Sequence, residues 1–434
     1  MADDDTPVQI DLRASERRFR WSLTAIVAVG AIWRFAFVAI TRHDRPLLLN
    51  DSLYYSWQGA QLADGIWFRD IFATEPAAEH GPLTAVVLAP FSWGSHLLFQ
   101  QRLATVLCGV ATIALVGLIG RRVGGHRVGL VAAGLAAVYP NLWINDGLVM
   151  SEAPSCLLVA AILLAALRLL DARTVGRAVL CGALIGLATL TRSELALFAV
   201  LLPVVMWRWT PRTGLLRSIG LVVLTTVVVL TPWIVFNLSR FDGPVLLTTN
   251  DGGTLVGANC PETYSGPGLG GWSLTCVLAN QGPAGIDPSE RSSEQRRVAL
   301  SYVRDNLTRV PVVVLARLGR IADVYGISNL VHQDVGEERD RWASWAGIVS
   351  WWILAPLGAI GFAVASRRDA WVLAMPVVTV LVTTILFYGA HRIRAPLEPA
   401  LVVCVALTLV RWRPWRSPAE PVAPAEPVGT AVPA

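Results

Sequence analysis

The sequence predicts an all-α polytopic membrane protein of about ten transmembrane helices, with a small mixed extracytoplasmic subdomain. Three observations carry this. Hydrophobic residues make up 54% of the 434 and charged residues only 15%, whereas soluble domains carry about 25% charged residues. Apolar stretches long enough to cross a bilayer recur along the chain. Basic residues gather in short loops between alternate stretches, the pattern that fixes insertion topology. All 36 basic residues are Arg, with no Lys, as GC-rich bacterial codon usage would produce. The net charge of +5 needs no nucleic-acid partner, because the Arg residues are spread over short loops.

Residues 1–20 are polar, from the acidic Asp3, Asp4 and Asp5 to the basic Arg17, Arg18 and Arg20. They lack an apolar stretch and a small-residue cleavage site, so no cleavable signal peptide is expected and 1–20 reads as a cytoplasmic N-terminus. The first span, 21–41, is apolar except for Arg34. Ten further apolar stretches lie near 82–98, 99–120, 128–144, 154–170, 178–191, 195–207, 218–236, 343–365, 370–388 and 397–411. If 82–98 crossed, every later basic loop would face outward. It is also broken by Pro82, Pro90, Ser92 and Gly94, so it is expected to stay at the outer surface and make 42–98 one long outer loop. The organisation expected is a transmembrane module over 21–236, an extracytoplasmic subdomain over 237–342, C-terminal transmembrane helices over 343–416, and a disordered Pro/Ala-rich cytoplasmic tail over 417–434.

With that topology the chemically capable residues fall on the outer side. Asp51, Tyr54, Tyr55, Glu79 and His80 belong to the first outer loop. Asp146 and Glu152 flank the next outer turn, Arg192 and Glu194 end the fifth span, and His391, Arg392 and Arg394 precede the last. Carboxylates can take a proton from a hydroxyl, and Arg matches phosphate geometry through paired N–H donors. Each has a simpler reading. Asp51 or Glu152 could cap a helix, Glu79 and His80 could be solvated, and Arg192 could snorkel from a span end. Basic residues at 392 and 394 run against the positive-inside bias, which favours function there. Arg317 and Arg320 read as the polar side of an amphipathic surface helix. Cys260 and Cys276, sixteen apart in a polar Gly-rich loop, form a disulfide if that loop is extracytoplasmic; Cys108, Cys156, Cys181 and Cys404 lie in apolar stretches. No His/Cys cluster has zinc spacing, although Asp51, Asp146 and Glu152 could share a divalent cation. The spans are nearly free of charge, which disfavours a transporter or lipid flippase, and a non-catalytic scaffold would not need acids and Arg residues converging on one face.

Six segments, taken in order along 20–410, resemble the glycosyltransferase C superfamily of polytopic enzymes. They are Asp51-Ser52-Leu53-Tyr54; Glu79-His80-Gly81-Pro82-Leu83; Tyr139-Pro140 leading to Ser151-Glu152; Leu190-Thr191-Arg192-Ser193-Glu194; Thr231-Pro232-Trp233; and Arg392-Ile393-Arg394-Ala395-Pro396. The resemblance is greatest to the branch of protein O-mannosyltransferases and the lipid A aminoarabinose transferase. It implies an inverting sugar transfer from a polyprenyl-phosphate donor to a glycan, glycolipid or protein acceptor, at the outer face of a bacterial plasma membrane. It implies Asp51 as general base and Glu152 as a second catalytic acid that orients the acceptor or helps hold a cation. Arg392, Arg394 and His391 would lie near the donor phosphate, and Tyr54, Tyr55, Glu79, His80 and Arg192 would line the substrate site. No cofactor is required beyond an optional divalent cation.

Overall fold

The computed structural model describes residues 7–48, 51–71 and 75–411, with side chains from residue 13 onward; the expected disordered tail, 417–434, lies outside the described residues. The described chain is helical, with no strand beyond an isolated Arg69–Pro76 bridge. In chain order the helices are α1 Pro7–Thr41, α2 Asp51–Ala63, α3 Leu83–Leu88, α4 Leu97–Gly124, α5 His126–Val138, α6 Pro140–Trp143, α7 Glu152–Asp171, α8 Val175–Thr191, α9 Phe198–Trp209 and α10 Leu215–Leu238. Then follow α11 Asp251–Ala258, α12 Pro261–Tyr264, α13 Leu274–Leu278, α14 Pro288–Asp305, α15 Val310–Ile321, α16 Ile327–Gly336, α17 Arg341–Val364, α18 Arg367–Leu386, α19 His391–Arg394 and α20 Glu398–Arg411.

Among the described residues, seven helical segments are long and apolar enough to cross a membrane, namely α1, α4, α7, α10, α17, α18 and the run from His391 to Arg411. The expected ten spans count in addition α5, α8 and α9, which have 13, 17 and 12 residues. The stretch expected not to cross is interrupted as its prolines suggest: α3 has six residues and passes into a single 3-10 turn. The bundle is organised about α7 and α20. Of their apolar windows 78% and 89% are enclosed by protein, against 17% for α10, so α10 presents its apolar surface to lipid. Glycines set the closest helix contacts. A Cβ on Gly182 of α8 would lie 2.4 Å from the Val222 carbonyl oxygen of α10, so only a missing side chain allows that approach.

The two ends of α7 orient the molecule. Asp171 at one end pairs with Arg122 and, at 2.8 Å, with Arg368, which draws the α4–α5, α7–α8 and α17–α18 loops into one basic cluster. Glu152 at the other end meets Arg192 and Arg392. A 20-residue helix is about 30 Å long, so the basic loops and the acid–arginine cluster stand at opposite ends of the bundle.

The 237–342 segment is built from helices and turns, α11 to α16, rather than mixed structure. Cys260 and Cys276 are joined as a disulfide, and the four other cysteines are free and buried. Arg317 and Arg320 differ from the sequence reading. They are 4% and 0% exposed and point inward from α15, donating to the carbonyls of Ala258 and Ile385 and of Gly389. Buried carbonyls at helix C-termini and in connections must be satisfied somehow, and these two guanidinium groups satisfy them while tying the subdomain to the end of α18 and the α18–α19 connection. Arg34 has a comparable duty at the start of the bundle: it pairs with buried Asp146 at 2.5 Å and donates to the carbonyls of Ala136 and Ala137, locking α1 to the end of α5.

Candidate active site

A cavity of about 590 Å³ lies where α2, the ends of α7 and α8, the α18–α19 connection and the 237–342 subdomain meet. Asp51, Tyr55, Glu79 and His80 form one wall, Arg192, Glu194, Tyr388 and Arg392 another, and Asn250, Asp251, Trp272 and Gln333 the side contributed by the subdomain. Asp51 is the first residue of α2, so its backbone is fixed by the helix while its carboxylate remains 28% exposed to the cavity.

Arg392 is the hub. Its Nη2 is 2.7 Å from Asp51 Oδ2, its Nε 3.1 Å from Glu152 Oε1, and its Nη1 3.6 Å from Glu337 Oε1. Arg192 reaches the same Glu152 oxygen at 3.2 Å and Glu194 at 2.5 Å. Glu152 is fully buried, and its other carboxylate oxygen has no hydrogen-bond partner. One carboxylate beneath two guanidinium groups holds both Arg side chains side by side, facing the cavity. Asp51 also meets His80 Nε2 at 3.4 Å. The His80 ring packs against both Tyr54 and Tyr55, with centroids 5.2 and 5.0 Å away.

These surroundings set the protonation of the wall. Burial acts to raise the Asp51 carboxyl, but the charges of Arg392 and then His80 outweigh it and hold Asp51 well below the usual carboxylate range. At Glu79 burial dominates and raises the carboxyl. Burial likewise pushes the Tyr388 phenol up to about 12, so it faces the cavity as a neutral hydroxyl. Asp51 is thus ionised at neutral pH and Tyr388 is not.

Of the residues singled out in the sequence, Asp51, Tyr55, Glu79, His80, Arg192 and Arg392 line the cavity, with Glu152 directly behind. Tyr54 is buried behind His80. His391 and Arg394 do not line it. Both His391 ring nitrogens are bonded to buried aspartates, and Arg394, 1% exposed, is held by Asp323 and Glu398. Asp146 stands apart, paired with Arg34, so it cannot share a cation with Asp51. Among the described residues no group of three or more His, Cys, Asp or Glu is placed to hold a metal ion.

Sequence reasoning missed Glu337, Glu338, Asp323 and Asp334. Glu338 accepts the Ser52 hydroxyl at 2.5 Å and the Leu48 amide at 2.9 Å, so it pins the start of α2 from nearly 290 residues away in sequence. The only signal was the charge-dense run Glu337-Glu338-Arg339-Asp340 just before a span, which reads equally well as a solvated flank.

Residues 80–236 match the family model described as dolichyl-phosphate-mannose-protein mannosyltransferase. No curated protein matches the chain. Among solved structures, the Archaeoglobus fulgidus oligosaccharyltransferase in its apo form superposes with TM-score 0.56 at 14% identity, covering 91% of this chain and 50% of its own. ArnT from Cupriavidus metallidurans bound to undecaprenyl phosphate gives TM-score 0.54 at 18% identity, with 90% and 60% covered. The archaeal oligosaccharyltransferase AglB in complex with an inhibitory peptide and a dolichol-phosphate gives TM-score 0.53 at 13% identity, with 90% and 50% covered. The chain therefore spans 50–60% of the length of these structures. The resemblance to the glycosyltransferase C superfamily holds in sequence over 80–236 and in fold over nine-tenths of the chain.

Proposed function

We propose that this chain is an inverting glycosyltransferase that moves a sugar from a polyprenyl-phosphate donor to an envelope acceptor. The observation that carries the proposal is Asp51, an ionised carboxylate at the wall of a polar cavity, held by an Arg that could instead receive a phosphate. Two of the structural relatives, ArnT with undecaprenyl phosphate and AglB with a dolichol-phosphate, bind this class of lipid. The basic cluster around Arg122 and Arg368 supports a cytoplasmic reading of the far end of the bundle by the positive-inside rule. The cavity then opens at the extracytoplasmic side of the plasma membrane, where lipid-borne donors are presented.

The chemistry follows from the geometry. Asp51 takes the proton of an acceptor hydroxyl as that oxygen attacks the anomeric carbon. The new C–O bond forms on the face opposite the departing bond, so the configuration inverts. The electron pair of the broken bond leaves on the polyprenyl phosphate, which needs no protonation. Arg392 and Arg192 stabilise the charge that develops there. Glu152 touches no reacting atom in this scheme; it positions the two Arg side chains.

The test supplies purified protein with a panel of decaprenyl- and undecaprenyl-phosphate sugars and follows release of polyprenyl phosphate. Asp51→Asn should lower turnover by about 10²–10⁴-fold, the contribution of a positioned base, with undecaprenyl phosphate binding retained. Full activity in that variant would remove the mechanism.

A further inference from the structure

His391 adjoins the cavity-facing Arg392 but is turned away from the cavity. Its Nε2 lies 2.6 Å from Asp323 Oδ1 and its Nδ1 2.7 Å from Asp334 Oδ2. A neutral imidazole has one N–H and one lone pair, and a lone pair aimed at a carboxylate would be repelled. Two carboxylates on two ring nitrogens therefore select the doubly protonated ring. The surrounding charges agree. A space of about 10 Å³, room for one water, is bordered by His391, Asp334, Arg339, Arg394 and Glu398, with Asp323 on the ring's far side. His391 adds a third cation to Arg339 and Arg394, which face Asp323, Asp334 and Glu398.

Asp323 reinforces this. Its other oxygen accepts from Arg394 at 2.7 Å, so one carboxylate clasps residues 391 and 394, which share a face of the short helix α19. Asp323 itself sits at φ 57°, a left-handed conformation that costs energy for a residue other than Gly and persists only where the surroundings demand it. With 391 and 394 fastened, Arg392 is directed away from that face, into the cavity and onto Asp51 and Glu152.

We infer that His391 is a positioning residue: an imidazolium clamped between Asp323 and Asp334 that fixes the direction of Arg392. The inference rests on the functional reading above only in assigning Arg392 to the phosphate. Without the imidazolium, Asp334 loses one of its two buried cationic partners and is left with Arg339 alone. It draws on Arg339, which it meets at 3.0 Å; Glu337, which shares Arg339 at 2.5 Å, then competes for Arg392.

The probe is undecaprenyl phosphate binding by the full chain in detergent, beside turnover and thermal melting. His391→Gln should weaken binding by about tenfold or more, the effect of removing one partner from a buried, hydrogen-bonded charge cluster, and lower turnover with it. The double variant His391→Gln/Asp334→Asn, which restores charge balance, should regain binding. A steric role would not be repaired by an isosteric change on another helix. Wild-type binding in His391→Gln, or no recovery in the double variant, overturns the inference. If His391→Gln alone does not fold, the double variant still decides: folded and binding supports the clamp, unfolded or non-binding sinks it. Full activity of Asp51→Asn would remove the functional reading and leave these binding results to judge the clamp separately.

Discussion

Removing the guanidinium of Arg392 while keeping its bulk, as in Arg392→Met, should act on three quantities at once. In the wild-type site burial raises the Asp51 carboxyl, and Arg392 at 2.7 Å is the largest of the opposing influences that together more than offset it. The substitution leaves only His80, at 3.4 Å. An adjacent opposite charge lowers a carboxyl by about 1–3 pH units, so the acid limb of the pH–rate profile should move up by about that amount. The sign for stability follows the same pair. A depressed carboxyl contributes stability above its unfolded value of about 3.9, and that contribution is lost as pH falls through the folded value. In the variant the lowered Asp51 no longer contributes it. The structural cost of breaking a buried pair is about 3–5 kcal/mol. The low end is expected, because Glu152 keeps Arg192 and Glu337 keeps Arg339. Turnover should fall by about 10²–10³-fold, the effect of deleting one transition-state donor. Arg392→Lys retains the charge but loses the planar fork, and should fall between the two. The assay is polyprenyl phosphate release across the acid range, alongside melting of each variant. An unmoved acid limb in Arg392→Met would show that Asp51 does not depend on this guanidinium.

Three more outcomes are expected. A Cβ on Gly81 would lie 2.2 Å from the Leu190 carbonyl oxygen, so Gly81→Ala should cost about 1–3 kcal/mol and move His80 off Asp51; melting and turnover should fall together, and unchanged values of both would contradict the contact. Opening the Cys260–Cys276 bridge, which closes a loop of sequence separation 16, should cost about 3 kcal/mol; Cys276→Ser or reductant should lower the melting temperature and disturb the Trp272 segment of the cavity wall. An impermeant thiol reagent applied to intact cells should label Ala284→Cys but not Arg127→Cys, both at exposed positions; labelling of Arg127→Cys would reverse the assigned topology.

The architecture was legible wherever the membrane dictates the sequence. Pro82, Pro90 and the basic loops together excluded a crossing by 82–98, and α3 is a helix of six residues. The same charge rule brought Asp51, Glu152, Arg192 and Arg392 to one side, and they meet there. Local cues failed where contacts are long-range and polar. Arg317 and Arg320 occupy one side of an apolar helix, the pattern of a surface helix, but they are buried because the carbonyls at the end of α11 and at Gly389 need donors. Arg394 and His391 carry the same charge as Arg392 within four residues, and nothing in that spacing tells which one faces the cavity. The distinction lies in Asp323 and Asp334, aspartates of a loop and a short helix whose position depends on the folded subdomain.

That arrangement bears on how the site would work. Both Arg side chains on the cavity wall already have carboxylate partners: Arg392 has Asp51, Glu152 and Glu337, and Arg192 has Glu152 and Glu194. A donor phosphate cannot find a free guanidinium and must displace a carboxylate from one. The partner of Arg392 most open to the cavity is Asp51, 28% exposed, against 21% for Glu337 and 0% for Glu152. Exchange at Asp51 therefore costs least in buried charge. A carboxylate held low by Arg392 is a weak base, and releasing it restores basicity. The proposed donor would then switch on the proposed base by taking its counter-ion, and Asp51 would deprotonate an acceptor only when a phosphate-linked sugar is in place to be attacked.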